Sequence, residues 1–128
     1  MDRQQASRAR QQATRAADSL RQTVGQMVAH HQELTPGKAT RLLVRCGKKN
    51  CRCASGQKHV AHFLYLARGG PLRRIWIPKT DLTRLTERSG RYRRFRTARA
   101  QLNKTFHQLL THLDELEAAL TVPYRKEP

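Results

Sequence analysis

All three cysteines of the chain fall within eight residues, Cys46-Gly47-Lys48-Lys49-Asn50-Cys51-Arg52-Cys53, and His59 follows shortly after. The pattern C-x4-C-x-C-x5-H constrains this stretch more than any other feature does. A short, polar, Lys/Arg-rich loop cannot bury enough apolar surface to hold itself. A tetrahedral Zn²⁺ bound by a Cys3His set supplies what the loop lacks. Gly47 and Asn50 contribute turn chemistry, so the backbone can curl around an ion. Cys46, Cys51, Cys53 and His59 are therefore the expected ligands of a structural Zn²⁺, with His62 as the rival for the fourth place. The spacing departs from the C-x2-C of common zinc knuckles. A disulfide would leave one cysteine over, and the Arg- and Gln-rich N-terminus does not read as an export signal. Free thiols would also fit the spacing, as would a redox-active thiolate favoured by nearby cations.

The rest of the composition explains why such a staple is needed. Of 128 residues only 38% are apolar, and the aromatics are one Trp, three Tyr and three Phe. Globular domains usually reach about 45–50% apolar. One small domain, or one core with extended arms, is what this chain is expected to build, and a large compact enzyme core is not expected. No run of apolar residues is long enough to span a membrane. Against this stand 26 Lys or Arg and 9 Asp or Glu, a formal net charge of +17. Charge of that size favours polyanions, through field strength and counterion release.

The charge is unevenly placed. Residues 1–35 carry a net +2, residues 36–78 a net +10 with no acid, residues 79–100 a net +6, and residues 101–128 a net −1. A basic middle between two near-neutral arms is the result. The organisation expected is an N-terminal amphipathic helix over 1–35, a basic zinc-hairpin module over 36–78, a long helix over 79–122 and a tail over 123–128.

The arms read as helices. Apolar or small residues recur at Ala6, Ala9, Ala13, Ala16, Leu20, Val24, Met27, His31 and Leu34, a near-heptad seam that Pro36-Gly37 ends. Its first turns carry only Ala and are expected to fray. After Pro78, with Thr80 or Asp81 as N-cap, a second helix runs to about Leu120. Leu102, Phe106, Leu109, Leu113, Leu116 and Leu120 form its heptad seam. Ser89-Gly90 is a place where this helix could kink or break. The two seams demand partners, either each other in an antiparallel pair, with the Ala-rich segment facing the Leu-rich one, or a second chain.

Between the arms, His62 to Ala67 and Leu72 to Ile77 read as strands joined by Arg68-Gly69-Gly70-Pro71, with Leu42 to Val44 as a third. Alternation puts Phe63 and Tyr65 on the face opposite Leu64 and Leu66, and Arg74 and Trp76 opposite Ile75 and Ile77. In a chain so short of core, Trp76 and Tyr65 are expected inside; displayed beside Arg74, they would instead make an aromatic–cation surface suited to nucleic acid. The fold class is thus α+β. Two long helices form an antiparallel or intermolecular coiled-coil stalk, with a small zinc-stabilised antiparallel hairpin or three-stranded sheet between them.

The run from Arg45 to Cys53, with Gly56 and His59, resembles a family of short bacterial and archaeal proteins classed as a domain of unknown function. Its pattern is C-G-K-x-x-C-x-C-x-x-G-x-x-H-G-P-Y, then a hairpin, a V/I-P-K start and a long helix with Tyr-Arg-Arg. Ile77-Pro78-Lys79 and Tyr92-Arg93-Arg94 continue the match, over roughly residues 40–118. Here Val60-Ala61-His62-Phe63 replaces G-P-Y. The resemblance implies a metal-binding hairpin on a helical stalk and a mobile-element setting, with no established activity.

No phosphate-cradling loop or nucleophile elbow is present, and residues 36–78 have no acid for a two-metal site, so a non-enzyme is expected. The function expected is a cytoplasmic, nucleoid-associated, zinc-stabilised nucleic-acid-binding protein, with DNA ahead of RNA. Its contacts would come from Arg45, Lys48, Lys49, Arg52 and Lys58 on the loop, Arg73 and Arg74 on the hairpin, and Arg91, Arg93, Arg94, Arg96 and Arg99 on the helix. Two further functions fit the same residues. One is a coiled-coil adaptor, as a homodimer or with a helical protein partner such as a recombinase. The other is a metal-responsive repressor.

Overall fold

The computed structural model describes residues 1–126, so the last two residues of the tail 123–128 lie outside the described residues. The element order is α1 (Arg3–Val28), β1 (Lys38–Val44), a 3-10 turn (Arg52–Ala54), β2 (His59–Leu66), β3 (Arg73–Trp76) and α2 (Lys79–Leu120). The fold is α+β, with two helices and a three-stranded antiparallel sheet in the order β1-β2-β3. No helix among the described residues is long and apolar enough to cross a membrane. The chain forms two compact units, one of residues 1–30 and 97–128, the other of residues 31–96.

In the first unit, Asp2 caps α1 by accepting from Gln5 N at 3.0 Å, and its own N–H donates to Ala119 O at 3.0 Å. The start of α1 thus lies at the end of α2. The buried residues here are Ala6, Ala9 and Ala13 on α1 with Thr105 and Ala119 on α2. This corrects two expectations. The Ala-only turns hold the buried residues of α1, because a side chain without length is covered as soon as a neighbour comes close to the backbone. The seam of α2 is also shifted. Ala98, Leu102, Thr105, Leu109, His112, Leu116 and Ala119 are covered wholly or partly, while Phe106 and Leu113 are 46% and 43% exposed and Leu120 is exposed as well.

α1 ends at Val28, several residues before Pro36-Gly37. The reason lies in the second unit, where residues 33–35 bond to α2 instead of continuing a helix. Thr35 N donates to Arg88 O at 3.3 Å, Arg91 Nε donates to Glu33 O at 3.1 Å, and the Arg88 guanidinium pairs with the Glu33 carboxylate. Ser89-Gly90 produces no break in α2. Ser89 is fully buried, donating to Gly37 O at 3.1 Å and accepting from Ala39 N at 3.4 Å, so it ties the helix to the start of β1. Gly37 (φ +109°) lets the chain enter β1 close against β2, since a Cβ there would meet Tyr65 O at 2.8 Å. α2 begins at Lys79, so Thr80 and Asp81 sit inside its first turn and not at the cap.

β1 and β2 pair from Lys38 opposite Tyr65 to Val44 opposite His59, and β2 and β3 pair Phe63 with Trp76 and Tyr65 with Arg74. Alternation then gives two faces. Leu64 and Ile77 are buried on one. The other carries Phe63, Tyr65, Arg74 and Trp76, and Trp76 is 61% exposed. The expectation that Trp76 is core fails, because β3 is a four-residue edge strand and Trp76 is its last residue.

Candidate metal centre and the cations around it

The ladder that ends at Val44 and His59 closes the cysteine loop. Cys46 stands two residues beyond Val44, so the β1–β2 register brings its thiol toward His59 at the first position of β2. Gly47 turns the chain at φ +80°. Cys51 N then donates to Lys48 O at 3.2 Å, and Ala54 N donates to Cys51 O at 3.1 Å, which winds residues 51–54 into the 3-10 turn and carries Cys53 inward. The Arg45 guanidinium donates to Ala54 O and fastens the loop's two ends.

The four ligand atoms all lie within 4.8 Å of one another. Cys46 Sγ is 3.4 Å from Cys53 Sγ, and Cys51 Sγ is 3.0 Å from His59 Nε2. A tetrahedron with Zn–S bonds of about 2.3 Å has S–S edges of about 3.8 Å. The spacing is therefore near that of ligands sharing one ion and far from the roughly 2.05 Å of a disulfide. Cys53 is buried, Cys51 half-buried, and Cys46 and His59 are exposed. Three cysteines and a histidine thus lie close together and could hold a metal ion. His62 is outside the cluster. It is three residues from His59 along one strand, so alternation sends the two to opposite faces, and it sits opposite Arg41 in the ladder.

The thiols differ in acidity. The Lys48 backbone N–H, and after it hydrogen bonds with Cys53 and Cys51, bring the Cys46 thiol down to about 6. The Cys53 backbone and side chain, then His59, lower Cys51. Contact with the Cys51 and Cys46 sulfurs raises His59. The Cys46 N–H, 3.4 Å from Cys53 Sγ, favours the Cys53 thiolate, but burial and the adjacent sulfurs outweigh it and hold that thiol above its ordinary value. Crowded thiolates repel one another, and a divalent cation among them turns that repulsion into ligation.

The basic residues expected to contact nucleic acid do not converge on one point. Arg45, Lys48, Lys49, Arg52 and Lys58 are exposed on or beside the cysteine loop. Three thiolates around one divalent cation would leave the site roughly one charge negative, so five neighbouring cations exceed what such a centre would need. Arg73 and Arg74 are exposed on β3, with the Arg74 guanidinium over the Phe63 ring at 4.5 Å. On α2, Arg93, Arg94 and Arg96 are exposed, but Arg91 is half-buried and engaged by Glu33 O. Arg94 lies back over Gly90. Arg99 is exposed in the first unit. Sequence reasoning overlooked Arg88, whose pairing with Glu33 joins segments far apart in the chain and leaves no local signal.

No protein-family model, curated protein or solved structure matches the chain. The chemistry of the site therefore rests on its own geometry.

Proposed function

We propose that this chain is a small, non-enzymatic nucleic-acid-binding protein, with DNA as its target ahead of RNA, and that a structural Zn²⁺ on Cys46, Cys51, Cys53 and His59 shapes its basic loop. The observation that carries this is the four-ligand cluster within 4.8 Å, set in a segment with a net charge of +10 and no acid. A metal-closed loop holds Lys48, Lys49, Arg52 and Lys58 in one small region where a flexible loop would scatter them. The fixed cations can then release counterions together when they meet phosphates. Gel shifts with duplex DNA, single-stranded DNA and RNA at two salt concentrations test it. Shifts that weaken steeply between about 50 and 200 mM salt are expected. Absence of any shift, or a flat salt response, overturns it.

A second function is supported by a separate observation. Phe106, Leu110, Leu113 and Leu120 are exposed along α2, and a helical partner or a second copy in a coiled coil would cover them. Sedimentation of the protein with and without a duplex separates an adaptor, which associates without DNA, from a monomeric DNA binder.

A further inference from the structure

We propose that the sheet face bearing Phe63, Tyr65, Arg74 and Trp76 is a stacking platform for single-stranded nucleic acid, with the exposed Trp76 and the half-buried Phe63 as its centre. This rests on the nucleic-acid-binding function proposed above and names its ligand class. Phe63 and Trp76 are direct cross-strand partners, as are Tyr65 and Arg74, so three aromatic side chains and a guanidinium occupy one patch. The Arg74 guanidinium already lies 4.5 Å from the Phe63 ring centre. A guanidinium plane on a ring is itself a stacking surface and carries charge for a phosphate. Trp76 is 61% exposed in a chain that has only one Trp and few other aromatics to spend.

The neighbouring surface extends the platform. A groove of about 670 Å³ runs past the end of β3, where the first half of β2 pairs with β1 on one side and has no strand on the other; Ala61, Trp76, Lys79 and Leu82 are among its lining residues. Val60, Ala61, Ile77, Leu82 and Trp76 give it apolar walls, His59 (the candidate metal ligand) and His62 add polar edges, and Lys79 supplies a cation, which matches a nucleobase attached to a phosphate. Charge selects the occupant. Residues 36–78 contain ten basic residues and no acid, so a basic or neutral apolar peptide gains little here and a polyanion gains much. A duplex keeps its base faces stacked on one another and offers this patch only phosphates. A single strand offers phosphates and free base faces together.

Because Trp76 is the sole Trp, its emission reports the platform directly. The intact protein is titrated with an oligothymidylate of about 15 nucleotides, an oligouridylate of the same length and a duplex with the same number of phosphates. Binding is read in parallel by anisotropy of end-labelled strands. Oligothymidylate is expected to quench Trp76 more than the duplex does. Trp76→Ala should weaken single-strand binding about five- to hundredfold with little change in the salt slope, and Trp76→Phe should recover most of it. Circular dichroism establishes that both variants are folded, and Arg74→Ala, which should weaken binding without removing the reporter, provides an independent variant. Equal or stronger quenching by oligouridylate supports the platform with RNA as the source of the strand. Single strands that bind with Trp76 emission and Trp76→Ala affinity unchanged overturn the platform while leaving nucleic-acid binding intact. Equal quenching by the duplex also overturns it. Absence of binding to all three at low salt overturns the broader function instead.

Discussion

Val44 and His59 face each other at the last rung of the β1–β2 ladder. That pairing converts a sequence spacing into a ligand set, because it sets the two ends of the cysteine loop side by side. The loop then needs only one left-handed residue, Gly47, and one 3-10 turn to bring three sulfurs and an imidazole within 4.8 Å.

Metal content follows from that cluster. Protein purified without chelator is expected to carry about one equivalent of zinc, and Cys53→Ser less than about half. Chelation should lower the melting midpoint by about 10 °C or more, since a metal bound only by the folded state stabilises it by mass action. Metal analysis and thermal denaturation monitored by circular dichroism check both.

Acid should release the metal. A thiol whose pKa is depressed when folded keeps its thiolate until the pH falls through the folded value, which for Cys46 is about 6. His59 shifts the opposite way, upward, so its imidazolium begins to displace metal at a higher pH than an ordinary histidine would. Both effects weaken binding as pH falls. Competition with a chromophoric chelator should show affinity already declining with falling pH above neutrality, because the raised Cys53 thiol must lose its proton to bind, and dropping more steeply between about pH 7 and pH 5 as Cys46 and His59 also protonate.

Gly47→Ala tests the turn. Nothing crowds a Cβ there, so the cost comes only from holding a residue at φ +80°. That cost is about 1–2 kcal/mol, and zinc affinity is expected to fall about tenfold. Gly47→Asn should lose less, because Asn tolerates this conformation. Chelator competition on the two variants gives the comparison.

Ser89→Ala should destabilise the protein by about 1–3 kcal/mol, because it removes the buried hydroxyl that satisfies Gly37 O and Ala39 N in a partly buried contact. Urea denaturation measures it. An unchanged midpoint would mean that the helix is held to β1 by other contacts.

The seam of the helical unit can be tested by opposite substitutions. Ala9→Leu places extra methylenes in a buried, close-packed position and is expected to cost about 1–3 kcal/mol. Leu113→Gln changes an exposed position and should fall within about 0.5 kcal/mol. The hydrophobic pattern alone would rank them the other way round.

What the residues settle by themselves is local. The cysteine spacing picks out three of the four residues that come together, because all lie in one short loop whose turn residues are visible, while the choice of His59 over His62 waited on the β1–β2 register. Alternation sorts the strand residues between the two faces, and Pro78 marks where α2 begins. Tertiary structure decided what depends on distant partners. α1 stops at Val28 because Glu33 and Thr35 bond to Arg91 and Arg88 in a helix more than fifty residues away. Ser89-Gly90 stays helical because a small buried hydroxyl there has a use that helix propensity does not see. The covered stripe of α2 passes through Thr105 and Ala119 and leaves Phe106 and Leu113 exposed, because tertiary packing, and not side-chain hydrophobicity alone, decides which face of a helix is covered. Trp76 is exposed for a similar reason: strand alternation chooses its face, but only the short edge strand decides that nothing in the second unit covers most of it.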